Sequence, residues 1–302
     1  MCPRPQRCPM LKWPQRLGHS WRKKSGKKKK GKADVKEFGE DFEKRATKSA
    51  AVKSSVPAAA LASPDGSGAD LQSAGTIEAI ALYKKLLDKY PNYERNDQVL
   101  YQLSRAYEEL GQIEEAMKIM NRMVKDYPTS RYFDEVQFRR GEYFFTRKKL
   151  LDSEDAFTSI VKMVEGSSYY ELALYKLGWT FYKQELYEES LHNFVALLDY
   201  RIKTGYDLEH PKGTSDEKRI EDTFRVMSLA FSYLGGSDAV VGYFNKFGKR
   251  SYEVNIYSNL GDYYLDKLRY SDAATTFKAF VKSNIKPDLK GAMLNLTHGS
   301  GW

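Results

Sequence analysis

The feature that most restricts the fold of this chain is a repeated pattern with a spacing of 37 residues. Tyr-Pro pairs occur at positions 90–91 and 127–128, and the same spacing separates three small residues: Ser104, Gly141 and Gly178. Self-similarity at a period of about 20 to 50 residues is typical of stacked supersecondary units, each of which buries its apolar face against its neighbours. The pattern therefore predicts a repeat array over most of the chain.

Each small residue lies in a frame with the period of an α-helix. An apolar residue precedes it by four positions and an aromatic residue follows it by three. The frames are Leu100…Ser104…Tyr107, Gln137…Gly141…Phe144, Leu174…Gly178…Phe181 and Tyr257…Gly261…Tyr264, and only Gln137 departs from the rule. A second helix follows each frame, with a small residue and an apolar residue four positions later: Ala116 and Met120, Ala156 and Ile160, Ser190 and Phe194, Ala273 and Phe277. Because small residues let neighbouring helices approach closely, the pattern predicts helix pairs.

These motifs resemble the tetratricopeptide repeat family, most closely over residues 174–197 and overall over about residues 76–286. The resemblance implies an all-α fold, an α-α superhelix (TPR solenoid) of antiparallel helix pairs whose inner face is lined by the first helix of each pair. The long repeats closed by Tyr-Pro are similar to the bacterial cell-envelope branch, which includes the outer-membrane assembly lipoprotein and the cell-division coordinator associated with the Tol-Pal system. That similarity implies the periplasm or cell envelope, although no signal peptide or transmembrane segment is visible.

Composition divides the chain into three parts. Residues 1–75 are expected to be a disordered, basic, Ala/Ser/Gly-rich tail, because such composition buries too little apolar surface to offset the entropy of ordering. Residues 76–288 are expected to form the array, with an inserted loop near 201–218, and residues 289–302 an irregular C-terminal tail. Residues 76–91 match a second helix with no first helix before it. We therefore expect a piece of a longer array whose uncapped ends are open to self-association.

The net charge of +9 belongs to the tail. Residues 1–75 hold 17 of the 49 Lys and Arg but only 7 of the 40 Asp and Glu, and residues 22–32 alone hold eight basic side chains. Such a run is compatible with a solvated charged linker, or with a tether to nucleic acid or to an anionic membrane. Within the tail, Val35, Phe38 and Phe42 form an apolar stripe that predicts a short, transient helix over residues 35–46.

Motifs for catalysis, metal binding or cofactor binding are not found. The chain has four histidines and two cysteines, and it contains no His-Glu-x-x-His, no phosphate-binding glycine loop and no Gly-x-Ser-x-Gly. His192 is interpreted as a partly exposed residue of a second helix. Carboxylate pairs such as Glu114 and Glu115 recur at second-helix starts, where they complement the helix dipole. We expect no enzyme activity, no cofactor and no metal.

The frame also predicts which side chains of the first helices face the inner groove. They combine aromatic and basic character, which is typical of residues that dominate interface energies: Tyr101, Arg105, Phe138, Arg139, Tyr175, Lys176, Trp179 and Tyr182. Two interpretations stay open for the aromatic rings, contact with a ligand and packing against the next repeat. The sequence thus predicts a non-catalytic scaffold that binds a peptide or helix segment of a protein partner, with an envelope assembly as its setting.

Overall fold

The computed structural model describes residues 67–163, 166–208 and 214–284, and within these ranges it contains α-helices and no strand. The predicted all-α array of antiparallel helix pairs is confirmed. The described helices are α1 (Ser67–Lys89), α2 (Asn96–Glu109), α3 (Ile113–Asp126), α4 (Phe133–Thr146), α5 (Leu150–Val161), α6 (Tyr170–Lys183), α7 (Tyr187–Lys203), α8 (Thr214–Leu234), α9 (Ser237–Phe247), α10 (Glu253–Asp266) and α11 (Tyr270–Asn284).

The helices pack as successive pairs. Helix α2 packs on α3, α4 on α5, α6 on α7, and α10 on α11, and each new first helix also contacts the helix before it. The pair formed by α8 and α9 is looser, because α8 packs more extensively on α10 than on α9. Helix α1 packs against α2 in the manner of a second helix.

Four of the first helices end in the same corner. The residue that follows each helix by two positions has a left-handed backbone: Gly111 at φ 69°, Lys148 at 59°, Glu185 at 62° and Leu268 at 56°. The next amide then bonds back across the last turn, as Gln112 N–H does to the Tyr107 carbonyl at 2.8 Å. The Gly111 N–H also donates to the Glu108 carbonyl at 2.9 Å. The two hydrogen bonds together form the Schellman arrangement, which turns the chain sharply into the second helix.

Close approach of the two helices in a pair is confirmed at the predicted small residues. A Cβ atom on Gly141 would lie 2.5 Å from the Phe157 ring, and one on Gly178 would lie 2.8 Å from the Phe194 ring. Gly261 faces Phe277 in the same way, at 2.3 Å. The ring therefore occupies the space that a side chain on the first helix would need.

The second-helix frame assigned to Ala156 and Ile160 is wrong by three residues. Phe157, not Ile160, lies against Gly141. Ser153, not Ala156, takes the small position, because its hydroxyl donates to the Gly141 carbonyl at 3.1 Å, as Ser190 does to Gly178 at 2.8 Å. Both candidates are small and buried, so residue size alone did not distinguish them.

Two element bounds differ from the sequence expectation. Helix α1 begins at Ser67 rather than at Thr76. The region 201–218 is partly helical, since α7 continues to Lys203 and α8 begins at Thr214, and residues 209–213 lie outside the described residues. The buried guanidinium groups of Arg201 and Arg219 both bond the Glu171 carboxylate, which fixes both ends of the insertion against α6. The basic run, the stripe at 35–46 and the expected C-terminal tail lie outside the described residues.

The contact between Gly178 and Phe194 yields a stability prediction. Gly178→Ala should lower the free energy of unfolding by about 1–2 kcal/mol, because overpacking in a core costs about 1–3 kcal/mol and exceeds the gain in helix propensity of up to about 1 kcal/mol. Urea unfolding followed by circular dichroism measures the change. Gly261→Ala is the matched control and should cost less, because Phe277 is 40% exposed and its ring has room to move. Equal losses in the two variants would contradict this account.

Candidate protein-binding face

The first helices α2, α4, α6, α8 and α10 form one row, which we call the first-helix face. Polar side chains tie neighbours in this row together. The Tyr101 hydroxyl donates to the Glu135 carboxylate at 3.0 Å, and the Arg105 guanidinium lies 3.6 Å from the same group. Arg139 of α4 bonds Glu108 of α2. These bonds cross from one repeat to the next, so they set the angle between repeats.

A second set of contacts uses the residue just before each first helix. Tyr132 stacks on Tyr101 with ring centroids 4.2 Å apart, and Tyr169 packs on Phe138 at 5.2 Å. Tyr252 occupies the same place before α10 and lies 6.2 Å from the Phe224 ring. The aromatic at the start of one repeat thus covers the inner residue of the repeat before it.

Sequence reasoning missed these tyrosines, although a signal for two of them was present. A Ser-x-Tyr motif occurs at 130–132 and again 37 residues later at 167–169. The Ser130 hydroxyl donates to Asp97 at 2.7 Å, and Ser167 repeats this bond to Asp134 at 2.7 Å. Each serine therefore anchors the turn to the preceding first helix and orients the tyrosine two positions later.

Four of the eight predicted groove residues are buried aromatics that pack within the array. Phe138 contacts the Phe157 ring, Tyr175 and Trp179 contact the Phe194 ring, and Tyr182 contacts Tyr187. Trp179 is 2% exposed. Burial raises the pKa of the Tyr175 and Tyr182 hydroxyls. In these contacts each ring packs on the second helix of its own pair.

Lys176 and Arg139, predicted as groove cations, occupy equivalent positions and both serve as links between repeats. The Lys176 ammonium lies 2.8 Å from the Glu142 carboxylate, and the residue is only 5% exposed. Arg139 bonds Glu108 through Nε at 3.0 Å. Each charge therefore has a partner on the preceding first helix.

The remaining two predicted residues, Tyr101 and Arg105, are half-exposed and lie together with Glu135 between α2 and α4. Burial, followed by the adjacent Glu135 charge, raises the pKa of Tyr101 to about 12. Tyr101 therefore stays a neutral donor at physiological pH. This surface offers an aromatic edge, a cation and a carboxylate, which can bind a peptide by exchanging internal bonds for intermolecular ones.

His192 lies elsewhere, on the second helix α7. It is half-buried, its Nδ1 is 2.8 Å from the Tyr243 hydroxyl of α9, and its ring lies 4.7 Å from Phe247. Burial lowers the pKa of His192 more than the nearby Glu188 and Glu189 charges raise it, and Lys246 lowers it further. This contact joins the loosely packed α9 to the rest of the array.

The described part of the chain holds neither a candidate metal site nor a candidate membrane span. Among those residues, no three His, Cys, Asp or Glu side chains group in a way that could hold a metal ion. None of the described helices combines the length and apolar character needed to span a membrane.

Comparisons with known proteins point to the same repeat type. A family model described as a tetratricopeptide repeat matches residues 76–135. One similar solved structure is the MamA protein, at 18% identity and TM-score 0.39, with 70% of this chain and 84% of that chain covered. A tetratricopeptide repeat protein from Parabacteroides merdae is 18% identical at TM-score 0.35, with 76% of this chain and 80% of that chain covered. BtubC from P. vanneervenii is 10% identical at TM-score 0.41, with 78% of this chain and 94% of that chain covered. These scores are too low to carry information about function. No curated protein sequence matches the chain.

The buried pair of Lys176 and Glu142 gives a prediction about stability. Glu142→Gln should lower the free energy of unfolding by about 3 kcal/mol, because it leaves a buried ammonium without its countercharge. Adding Lys176→Met should restore most of the loss, because the double variant removes both charges. Chemical denaturation of the three proteins measures the effect.

Glu114→Gln is the matched control for that series. Glu114 pairs with Arg147 on the surface, so its loss should leave the denaturation midpoint almost unchanged. If the double variant were no more stable than Glu142→Gln alone, the unpaired Lys176 charge would not be the cause of the lower free energy of unfolding.

His192 gives a prediction about pH. Its folded-state pKa is below the ordinary value of 6.5, so the unfolded chain binds the proton more readily. This contribution to stability is present above pH 6.5 and is lost as the pH falls towards the folded-state pKa. The midpoint of urea unfolding should therefore decrease between pH 7.5 and pH 5.5, and His192→Phe should reduce that decrease. An unchanged pH profile in the variant would show that His192 is not responsible.

Proposed function

We propose that this protein is a non-catalytic scaffold whose first-helix face binds a segment of a partner protein. The observation that carries the proposal is the half-exposed surface between α2 and α4, where Tyr101, Arg105 and Glu135 lie together. Tyr and Arg are the residue types most enriched among side chains that dominate interface energies. The similarity of residues 76–135 to a tetratricopeptide repeat model supports the same function.

Binding at this surface would use an array that is already ordered. The rings against Gly141 and Gly178 hold each pair closed, and the Arg139 and Lys176 links hold the pairs to each other. The conformational entropy lost on binding is then mainly that of the partner segment, and this favours affinity. An extended or helical segment with an apolar anchor suits the surface, with its charged groups replacing the internal pairing of Arg105 and Glu135.

The setting we propose is a bacterial envelope assembly. The 37-residue spacing and the Tyr-Pro closures at 90–91 and 127–128 support it through their similarity to the cell-envelope branch of the family. Recovery of envelope proteins as partners would support this setting, and recovery of cytoplasmic or nucleic-acid-binding proteins alone would contradict it.

Site-specific photo-cross-linking in the full chain tests where a partner binds. A benzoylphenylalanine residue replaces Tyr101 in one protein and Tyr200 in the other; both tyrosines are half-exposed, but Tyr200 lies on the second helix α7. We expect a protein from bacterial lysate to cross-link at position 101 and not at position 200. Arg105→Glu should weaken capture of that protein at least tenfold, whereas Arg122→Glu on α3 should not.

Two results would contradict the proposal. Equal cross-linking at positions 101 and 200 would mean that the first-helix face has no special role. Loss of capture on deletion of residues 1–66, together with steep weakening by salt, would assign binding to the basic tail as a tether to nucleic acid or an anionic membrane.

A further inference from the structure

Helix α11 keeps an apolar stripe exposed to solvent. Tyr270, Ala274, Phe277 and Val281 follow one another at helical spacing, so they lie on one side of the helix. All four are exposed, Phe277 by 40% and Val281 by 46%. The last three of these positions are fully buried in α7, where they are occupied by Leu191, Phe194 and Leu198.

The difference in burial follows from what packs on each second helix. Helices α3, α5 and α7 each contact the first helix of the following pair, whereas α11 is the last helix that the structure describes. Between α5 and α6, this contact places the Thr180 hydroxyl 3.4 Å from the Ser153 hydroxyl, and the Gln184 amide donates to the Glu154 carboxylate at 2.9 Å. Glu154 is equivalent to Ala274 in the stripe. The stripe therefore lies where a further first helix would pack.

Helix α10 presents an unpaired carboxylate at the same end of the array. Asp262 follows Gly261 by one position, as Glu142 follows Gly141. The Glu142 carboxylate lies 2.8 Å from the Lys176 ammonium of the following first helix. Asp262 is exposed, and within the described ranges no cation pairs with it. An apolar stripe and an unpaired negative charge therefore lie on neighbouring helices.

The cations that link the repeats define the chemistry of a helix that would match this end. Lys176 and Arg139 each lie two positions before the glycine of their own first helix, and each binds a carboxylate of the preceding first helix. A helix packed in the same way beside α10 and α11 brings a cation at that position to Asp262. The stripe is about 16 Å long, so about three turns of helix cover it.

A second copy of this chain does not match this description within the described residues. Its first helices are packed in pairs, and Lys176 and Arg139 are already bound. The residue of α2 at the cation position, Gln102, is exposed but uncharged. Charge complementarity therefore favours a basic helix from another protein as the occupant.

We propose that the exposed stripe of α11 and the Asp262 carboxylate, together called the α11 end, bind an amphipathic α-helix of a partner protein. The partner helix carries Lys or Arg two positions before a small residue. Its cation pairs with Asp262, and its apolar side covers Phe277 and Val281. An amphipathic helix that lays its apolar face on an apolar groove is a recurring mode of recognition.

A peptide with the sequence of residues 167–184 is a probe of this chemistry, because it contains Lys176 two positions before Gly178. Binding of the fluorescein-labelled peptide to the full chain is measured by fluorescence anisotropy. We expect saturable binding, and we expect Val281→Asp to weaken it at least tenfold. Leu82→Asp is the matched control; this leucine is 62% exposed on α1, so its substitution should leave the affinity for the peptide unchanged.

A charge exchange tests the role of Asp262 and leaves the apolar stripe intact. The peptide with Lys176→Glu should bind the unchanged chain at least tenfold more weakly than the original peptide does. Asp262→Lys in the chain should restore most of that loss, because the two charges are again opposite. Asp155→Lys on α5 is the matched control, since Asp155 is also exposed, and it should restore nothing.

Several results would overturn the proposal. Absence of saturable binding, or equal weakening by Val281→Asp and Leu82→Asp, would show that the α11 end does not bind such a helix. Equal affinities of the two peptides for the unchanged chain would exclude the pairing with Asp262.

Two further results would identify a different occupant and would overturn the proposal as well. Self-association of the chain in sedimentation experiments, abolished by Val281→Asp, would identify a second copy. Peptide binding that requires deletion of residues 285–302 would identify a segment of this chain. The proposed binding surface between α2 and α4 is separate, so each proposal can fail without the other.

Discussion

Three helix pairs of the array depend on one contact, the close approach of the first helix to an aromatic ring of the second helix. At Gly178 the Phe194 ring fills the volume of a missing side chain, and Gly141 and Gly261 repeat the contact. The ring fixes the distance between the two helices of a pair. The pairs that share this contact present equivalent surfaces, and the polar links of Arg139 and Lys176 form at equivalent positions.

The links between repeats explain why the candidate binding surface is small. Residues of the type that bind partners are present along α4 and α6, but Lys176 and Arg139 bond the preceding helix and Trp179 is buried. A side chain whose polar group bonds the neighbouring repeat does not offer that group to a partner. Of the eight predicted groove residues, Tyr101 and Arg105 keep polar groups that a partner can reach, and for this reason we place binding there.

The sequence predicted the repeat, its period and the position of the close contacts, because glycine and aromatic spacing follow directly from helix geometry. It did not predict the burial of Lys176, because a charged residue in a helical pattern is usually solvated and its partner Glu142 belongs to another repeat. It assigned the small position of the second pair to Ala156 instead of Ser153, because both residues are small and buried. The covering role of Tyr132 and Tyr169 was missed because each acts outside its own helix.

The corners between paired helices keep one backbone conformation although the residue that adopts it differs from repeat to repeat. Gly111 supplies the left-handed residue in the first corner, but Lys148, Glu185 and Leu268 adopt the same conformation elsewhere. A non-glycine residue there costs roughly 1–2 kcal/mol, a cost that the two hydrogen bonds of the corner and the packed pair offset. A residue other than glycine can therefore adopt the corner conformation, and what it costs is stability of the fold. Repeats that differ in sequence at the corner can therefore share its shape and still stack in register.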